Sequence, residues 1–132
     1  MNKKNIRWRQ RFENFIKSLD LLKQAVEIKE MNEIERGGLI QFFEISFELA
    51  WKTMKDYLES EGYLLKSPRE VIKQAFQIEL INKGEIWLNA LNDRNLIAHT
   101  YDEEVSLKLE VLIKTKYFPI LQYLQQNLKN KI

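Results

Sequence analysis

Apolar residues in this chain return every three or four positions and almost never alternate, which is the periodicity of helices rather than strands. Trp8, Phe12, Phe15, Ile16, Leu19, Leu22 and Val26 fall on one stripe and predict a first helix over about residues 5–29. Leu39, Phe43, Phe47, Ala50, Met54, Tyr57 and Leu58 form a second stripe, predicting a helix that runs to about Ser60 and stops at Gly62. Two starts compete for it. Asn32 with Glu35 has the spacing of a capping box, whereas Gly37 and Gly38 each cost about 1 kcal/mol relative to alanine inside a helix and favour a later beginning. The stretch from Ser67 to Glu70 is a cleaner start, with Ser67 as cap, Pro68 at the first helical position and Glu70 reaching back; this third helix is predicted to end near Asn82, before Gly84. A fourth helix carries Ile86, Trp87, Leu88, Ala90, Leu91, Leu96 and Ile97. Thr100 with Glu103 then predicts another capping box, opening a long fifth helix to about Leu128. Pro119 should kink that helix, because it lacks an amide hydrogen and its ring collides with the carbonyl four residues back.

With only four glycines and two prolines to break the pattern, and no repeat or linker, the expected architecture is all-α. It is an antiparallel, up-and-down bundle of four principal helices plus a shorter fifth, one domain over residues 1–132. A length of 132 residues with 45% hydrophobic content is enough to bury a core, and the absence of cysteine excludes disulfides, thiolate metal sites and cysteine nucleophiles. No apolar run of the signal-peptide kind follows the basic start, and no stretch is long enough to cross a bilayer, so a cytoplasmic protein without a membrane partner is expected. The net charge of +2, from 21 Lys+Arg against 19 Asp+Glu, is too balanced to mark a nucleic-acid binder by its overall field. Lys3, Lys4, Arg7, Arg9 and Arg11 read better as a solvated, frayed helix start than as a phosphate-contacting arm.

Residues 92–105 hold the chain's one histidine, His99, with Arg94 five positions before it and Tyr101 two after it. On a regular α-helix five residues turn the direction by about 140° and rise by about 7.5 Å, so Arg94 and His99 would flank a common groove instead of stacking. Asn95 and His99 would share one face, and Arg94, Ala98 and Tyr101 the adjacent one. The bland alternative has His99 next to a helix C-terminus, Arg94 paired with Asp93 or Asp102, and Tyr101 packed as a boundary aromatic. Spacing alone favours the bland alternative.

The run Arg-Asn-Leu-Ile-Ala-His-Thr-Tyr over residues 94–101 fits Arg-x-x-x-x-His-x-Tyr. That motif resembles the signature of HEPN-domain proteins, specifically the HepT-like toxins paired with minimal nucleotidyltransferases, and the match includes the polar Asn95 after the arginine. The segment from Phe43 to Leu58 similarly resembles the second-helix signature of nucleotidyltransferase substrate-binding proteins, and the likeness covers essentially the whole chain. The resemblance implies a bundle that pairs two-fold, bringing Arg94 and His99 of two copies to one cleft, with metal-independent ribonuclease activity on RNA or tRNA. It also implies that a cognate nucleotidyltransferase, acting as antitoxin, adenylylates Tyr101 and silences the toxin.

The chemistry is sound. Imidazole titrates near neutral pH and takes a proton from a ribose 2′-hydroxyl, while a guanidinium suits the charge building on the phosphorus. In-line cleavage uses a base and an acid on opposite sides, and a chain with one histidine supplies both only through a symmetry mate, so a homodimer is expected. A phenol is a poor base at neutral pH but a serviceable acceptor once a partner's metal site activates it. Asp93, Asn95 and Asp102 are candidate supporting residues that orient the pair. Glu44, Glu48, Lys52 and Lys55 read as a solvated stripe, and Trp8, Trp51 and Trp87 as core or dimer-interface anchors.

The chain has no Gly-Ser followed by Asp-x-Asp to hold magnesium, so it does not transfer nucleotides by itself. It has no P-loop, no dinucleotide fingerprint and no His-Glu-x-x-His, and one histidine without cysteine makes no zinc site; no metal and no cofactor are expected. Two function classes follow: a ribonuclease toxin neutralised by a partner enzyme, or a non-catalytic subunit that presents substrate to a separate nucleotidyltransferase.

Overall fold

A computed structural model describes residues 2–132, and every regular element among them is helical. The elements are α1 (Lys3–Val26), α2 (Glu33–Ser60), α3 (Pro68–Gln77), α4 (Gly84–Asp93) with a 3-10 extension (Arg94–His99), α5 (Glu103–Leu112), a π-helical turn (Ile113–Tyr117) and α6 (Phe118–Lys129). The last three follow one another without a break, so they form the long fifth helix that the sequence predicts. Asn2 caps α1 with its side chain, so the first helix starts at Lys3, two residues before the predicted start at residue 5, and it ends at Val26, three short of the predicted residue 29.

The competition over the start of α2 is decided by hydrogen bonds. The Asn32 side chain accepts from the Glu35 amide at 2.8 Å and the Glu35 carboxylate accepts from the Asn32 amide at 2.9 Å, a complete capping box. Gly37 and Gly38 are carried inside the helix, their cost offset by the cap and by the burial of Leu39, Ile40 and Phe43. At the third helix the reading needs correction. α3 ends at Gln77, not near Asn82, because the chain turns through a left-handed Glu79 (φ 63°) and the Leu80 amide bonds back to the Ala75 carbonyl at 2.9 Å. Leu80 and Ile81 remain buried, so the apolar period outlasts the helix that produced it.

Cross-helix contacts fix the directions. Trp8 meets Tyr57 edge-on at 5.2 Å, Arg11 pairs with Asp56 at 3.3 Å, and the buried Ser46 hydroxyl donates to Ser18 at 3.0 Å, so residue numbers fall along α2 as they rise along α1. The two helices are antiparallel. Asn127 bonds the Leu80 carbonyl and Tyr117 bonds Asp93, which likewise sets α4 against α5–α6. Arg36 meets Glu110 and Phe43 stacks on Tyr117 at 5.5 Å, so α2 and α5 run in the same direction, as alternate members of an up-and-down bundle do. α1, α2, α4 with its extension, and α5–α6 are the principal helices, and α3 is the shorter fifth.

Phe12, Phe15, Leu22, Phe43, Phe47, Trp87 and Tyr117 are buried together in one core. Trp8 and Trp87 are core anchors, whereas Trp51 is half-buried and hydrogen-bonded to Glu48. The basic start is less free than a frayed end: the Arg9 guanidinium lies over the Trp8 ring, Arg11 pairs with the buried Asp56 carboxylate, and Arg7 sits 3.9 Å from Glu59. Among the described residues no helix is long and apolar enough to cross a membrane.

Pro119 acts through a π-turn. It has no amide hydrogen for the Thr115 carbonyl, and in the turn just before it the Phe118 amide reaches back five residues to Ile113. The wider turn rotates Tyr117 inward, where it is buried and stacked on Phe43.

At the α1–α2 connection, Glu110 accepts from Arg36 at 2.7 Å and from Lys114 at 3.2 Å, and the same two cations bond the Met31 and Ile28 carbonyls. Burial on its own would raise the Glu110 carboxyl, but the hydrogen bonds from Arg36 and Lys114 outweigh it and hold the group below the usual glutamate range. A carboxyl depressed in the folded state contributes stability above its unfolded pKa and loses it as pH falls through the folded value. Glu110→Gln is therefore expected to lower unfolding free energy by about 2 kcal/mol at pH 7. In urea titrations across the acid limb, the gap to the unsubstituted protein should close below pH ~4.

Candidate functional site

α4 stops at Asp93 and tightens into the 3-10 turns of Arg94–His99, a common way for a helix end to satisfy its last carbonyls. This overturns the α-helical geometry expected for the motif. At three residues per turn, positions three apart eclipse, so Asn95 and His99 no longer share a face, and Arg94 and His99 stand about 120° apart with a rise of about 10 Å. Leu96 and Ile97 pack their half-buried side chains onto the core, while Asn95, Ala98 and His99 are exposed. The expected capping box at Thr100 is also corrected. Asp102 caps α5, accepting from the Glu104 amide at 3.0 Å; the Thr100 hydroxyl donates back to the Ile97 carbonyl at 3.1 Å, and its own carbonyl takes the Ser106 hydroxyl at 2.6 Å.

Arg94 reaches across to α2, where its Nη1 donates to Glu48 Oε1 at 2.6 Å. The partner that the bland alternative offered Arg94, Asp93 or Asp102, is thereby replaced by a residue read from the sequence as part of a solvated stripe. Glu48 is held at both oxygens, because Oε2 accepts from Trp51 Nε1 at 2.9 Å. Each member of the Arg94–Glu48 pair is about one-third exposed (34%), so the attraction is screened by water and worth little in stability. No sequence pattern singled out Glu48; packing brings it here. It follows Phe47, which packs against Trp87 of α4 at 5.8 Å, and the end of α4 has to pass close by.

Residues 94–102, the 3-10 turns and the link to α5, form a shelf on the bundle, and His99 and Tyr101 stand on its outer side. Nδ1 of the imidazole lies 3.2 Å from the phenolic oxygen, the rings meet edge-on at 5.8 Å, and Tyr101 is 84% exposed. Tyr101 is thus a displayed side chain and not the packed boundary aromatic of the bland alternative. The proton between the two groups belongs to either, according to the imidazole tautomer.

Asp93 turns inward and accepts a hydrogen bond from the Tyr117 hydroxyl. Burial, reinforced by that bond and by the Asp93 charge, pushes the Tyr117 phenol well above its ordinary value, so it stays a donor at every physiological pH. Asp93 consequently ties the root of the motif to the π-turn, while Asp102 serves the start of α5 and Asn95 faces solvent.

Beside the shelf, between α2 and the start of α5, is a cavity of about 590 Å³ whose wall includes Gly37, Ile40, Gln41, Glu44, Ile97 and Tyr101. Neither Arg94 nor His99 lines it. Within one chain the structure therefore places the three motif residues in three settings: Arg94 against Glu48, His99 exposed beside the phenol, and Tyr101 on the rim of the cavity.

Residues 10–130 match the model of the family described as nucleotidyltransferase substrate binding protein like, and the chain belongs to that family. A Haemophilus influenzae protein named probable ribonuclease HepT is 27% identical over 100 residues, which cover 68% of this chain and 67% of the relative. A crystal structure from Thermus thermophilus superposes with a TM-score of 0.75 at 29% identity, covering 89% of this chain and 97% of that one. A Haemophilus influenzae structure, described as revealing the fold of a substrate binding domain of a nucleotidyltransferase, gives a TM-score of 0.68 at 20% identity over 96% and 99% of the two chains. That last likeness establishes the fold, a five-helix all-α bundle.

Because the Tyr117 hydroxyl holds Asp93, Tyr117→Phe is expected to cost about 1–3 kcal/mol by leaving the carboxylate without its donor. Amide hydrogen exchange should locate the effect: protection is expected to fall first over residues 94–102 and to stay unchanged in α1, and a uniform loss would remove the anchoring role.

Proposed function

We propose that this protein is the helical toxin of a two-component pair, a metal-independent ribonuclease whose cleft is completed by a second copy and closed by adenylylation of Tyr101. The observation that carries the reading is the exposed His99–Tyr101 pair, 3.2 Å apart on a shelf whose root is bound to the core through Asp93. In the cleavage step His99 takes the proton from a ribose 2′-hydroxyl, the 2′-oxygen attacks the adjacent phosphorus, and the bond to the 5′-oxygen breaks to leave a 2′,3′-cyclic phosphate. The departing 5′-oxygen takes its proton from the second copy's imidazole, and Arg94 balances the charge on the phosphoryl oxygens. A guanidinium has five N–H donors, and the contact to Glu48 through Nη1 occupies one of them.

Silencing uses the same two residues. A partner nucleotidyltransferase presents ATP with its metal, the Tyr101 oxygen attacks the α-phosphorus, pyrophosphate leaves, and the phenolic proton passes to His99 or to water. The new phosphodiester then stands where an RNA phosphate would bind, and its negative charge and bulk exclude the substrate. The likeness to the probable ribonuclease and the Arg-x-x-x-x-His-x-Tyr motif support this reading.

A second reading is favoured by one observation, the engagement of Arg94 with Glu48, and by the family description: a non-catalytic subunit that presents substrate to a separate nucleotidyltransferase. Incubating purified protein with tRNA in the presence of EDTA separates the two. The ribonuclease reading expects cleavage by the unsubstituted chain and a loss of about 10²-fold or more in His99→Ala and Arg94→Ala. Equal cleavage by all three, or none by any, removes the catalytic role and leaves the adaptor. The same reading expects a dimer at micromolar concentration by light scattering, and a monomer there would count against it.

A further inference from the structure

We infer that the cavity beside Tyr101 is a nucleoside site, which receives the adenosine of the AMP carried by that tyrosine and excludes free nucleotide phosphates. The inference rests on the adenylylation reading only for the source of the nucleoside; the chemistry of the site comes from its walls.

At about 590 Å³ the cavity is within the size range of small-molecule sites. Ile40 of α2 and Ile97 of the 3-10 segment supply apolar surface for the faces of a planar base. Gln41 offers both a donor and an acceptor for a heterocycle edge, and Glu33, Glu44 and Glu103 are acceptors for ribose hydroxyls and an exocyclic amine. Gly37 leaves the floor open, since a Cβ built there meets nothing within 4 Å. The cation in the wall, Arg36, has its charge paired with the largely buried Glu110 carboxylate at 2.7 Å and is bonded to the Met31 carbonyl at 3.2 Å. The cavity thus presents three carboxylates and no unengaged positive charge, which favours a neutral ligand rich in donors and repels phosphate.

Tyr101 is the one motif residue on the rim. A phosphodiester on its oxygen would stand beside His99, outside the carboxylates, with the nucleoside leading into the cavity. The walls then hold the modified side chain down over the shelf, and the tether supplies the effective concentration that a weak nucleoside site lacks.

The test uses free ligands on the unmodified protein. Adenosine, titrated into ¹⁵N-labelled chain, is expected to bind in the millimolar range and to shift the amides of Gly37, Gln41, Thr100 and Glu103, whereas ATP leaves them in place. Gly37→Trp fills the floor and should abolish the adenosine shifts without affecting tRNA cleavage. Glu44→Ala should weaken them about tenfold, the equivalent of one charge-assisted hydrogen bond. Adenosine shifts that are absent, spread over the surface, or matched by ATP would overturn the inference. Its failure is separable from failure of the adenylylation reading: Tyr101 that gains AMP while adenosine does not bind sinks the cavity site alone, and cavity binding without any modification of Tyr101 sinks the regulation alone.

Discussion

The bond between the Tyr117 hydroxyl and Asp93 joins the two parts of the molecule on which everything at the shelf depends. Asp93 is the last residue of α4 and Tyr117 the last of the π-turn, so one contact fixes where the fourth helix ends relative to the long helix behind it. The π-turn lies just before Pro119, which withholds an amide from the ladder, and within it Tyr117 is directed at Phe43 and Asp93 in place of solvent. Downstream of Asp93 the chain is free to tighten, and the tightened turns leave Arg94 facing α2 and His99 facing out. A backbone defect on one helix thereby decides which way the polar motif of another is presented.

Much of the architecture was legible because burial imposes a period. The apolar stripes of the first two helices and the cap at Ser67 correspond to real elements, and the capping box at Asn32 and Glu35 turned out to outweigh two glycines. The misreadings share a cause. Leu80 and Ile81 continue the stripe of α3 after the backbone has left the helix, and Thr100 has the residue type of a cap while Asp102, two positions on, has the geometry. Periodicity reports which residues are inside, not which dihedral angles carry them there. The 3-10 character of residues 94–99 left no mark in the residue pattern, since its six residues fit an α-helix equally well.

At the candidate site the residue types were readable and their partners were not. His99 and Tyr101 are close in sequence, and their contact needed only a local turn. Arg94 and Glu48 are 46 positions apart, and their meeting depends on how α4 crosses α2 at Phe47 and Trp87. Carboxylates adjacent to the motif looked like its natural neighbours, yet Asp93 went to the core and Asp102 to a helix end. Long-range pairing of this kind follows from packing, and no single-chain pattern encodes it directly.

The shelf itself contributes no fully buried side chain to the interior. Leu96 and Ile97 lean on the core, but the exposed imidazole and phenol could be exchanged for other polar groups while the bundle beneath stays as it is. Folding and surface chemistry are written in separate residues here, so a lineage can retune the outer groups by single substitutions and keep an unaltered scaffold.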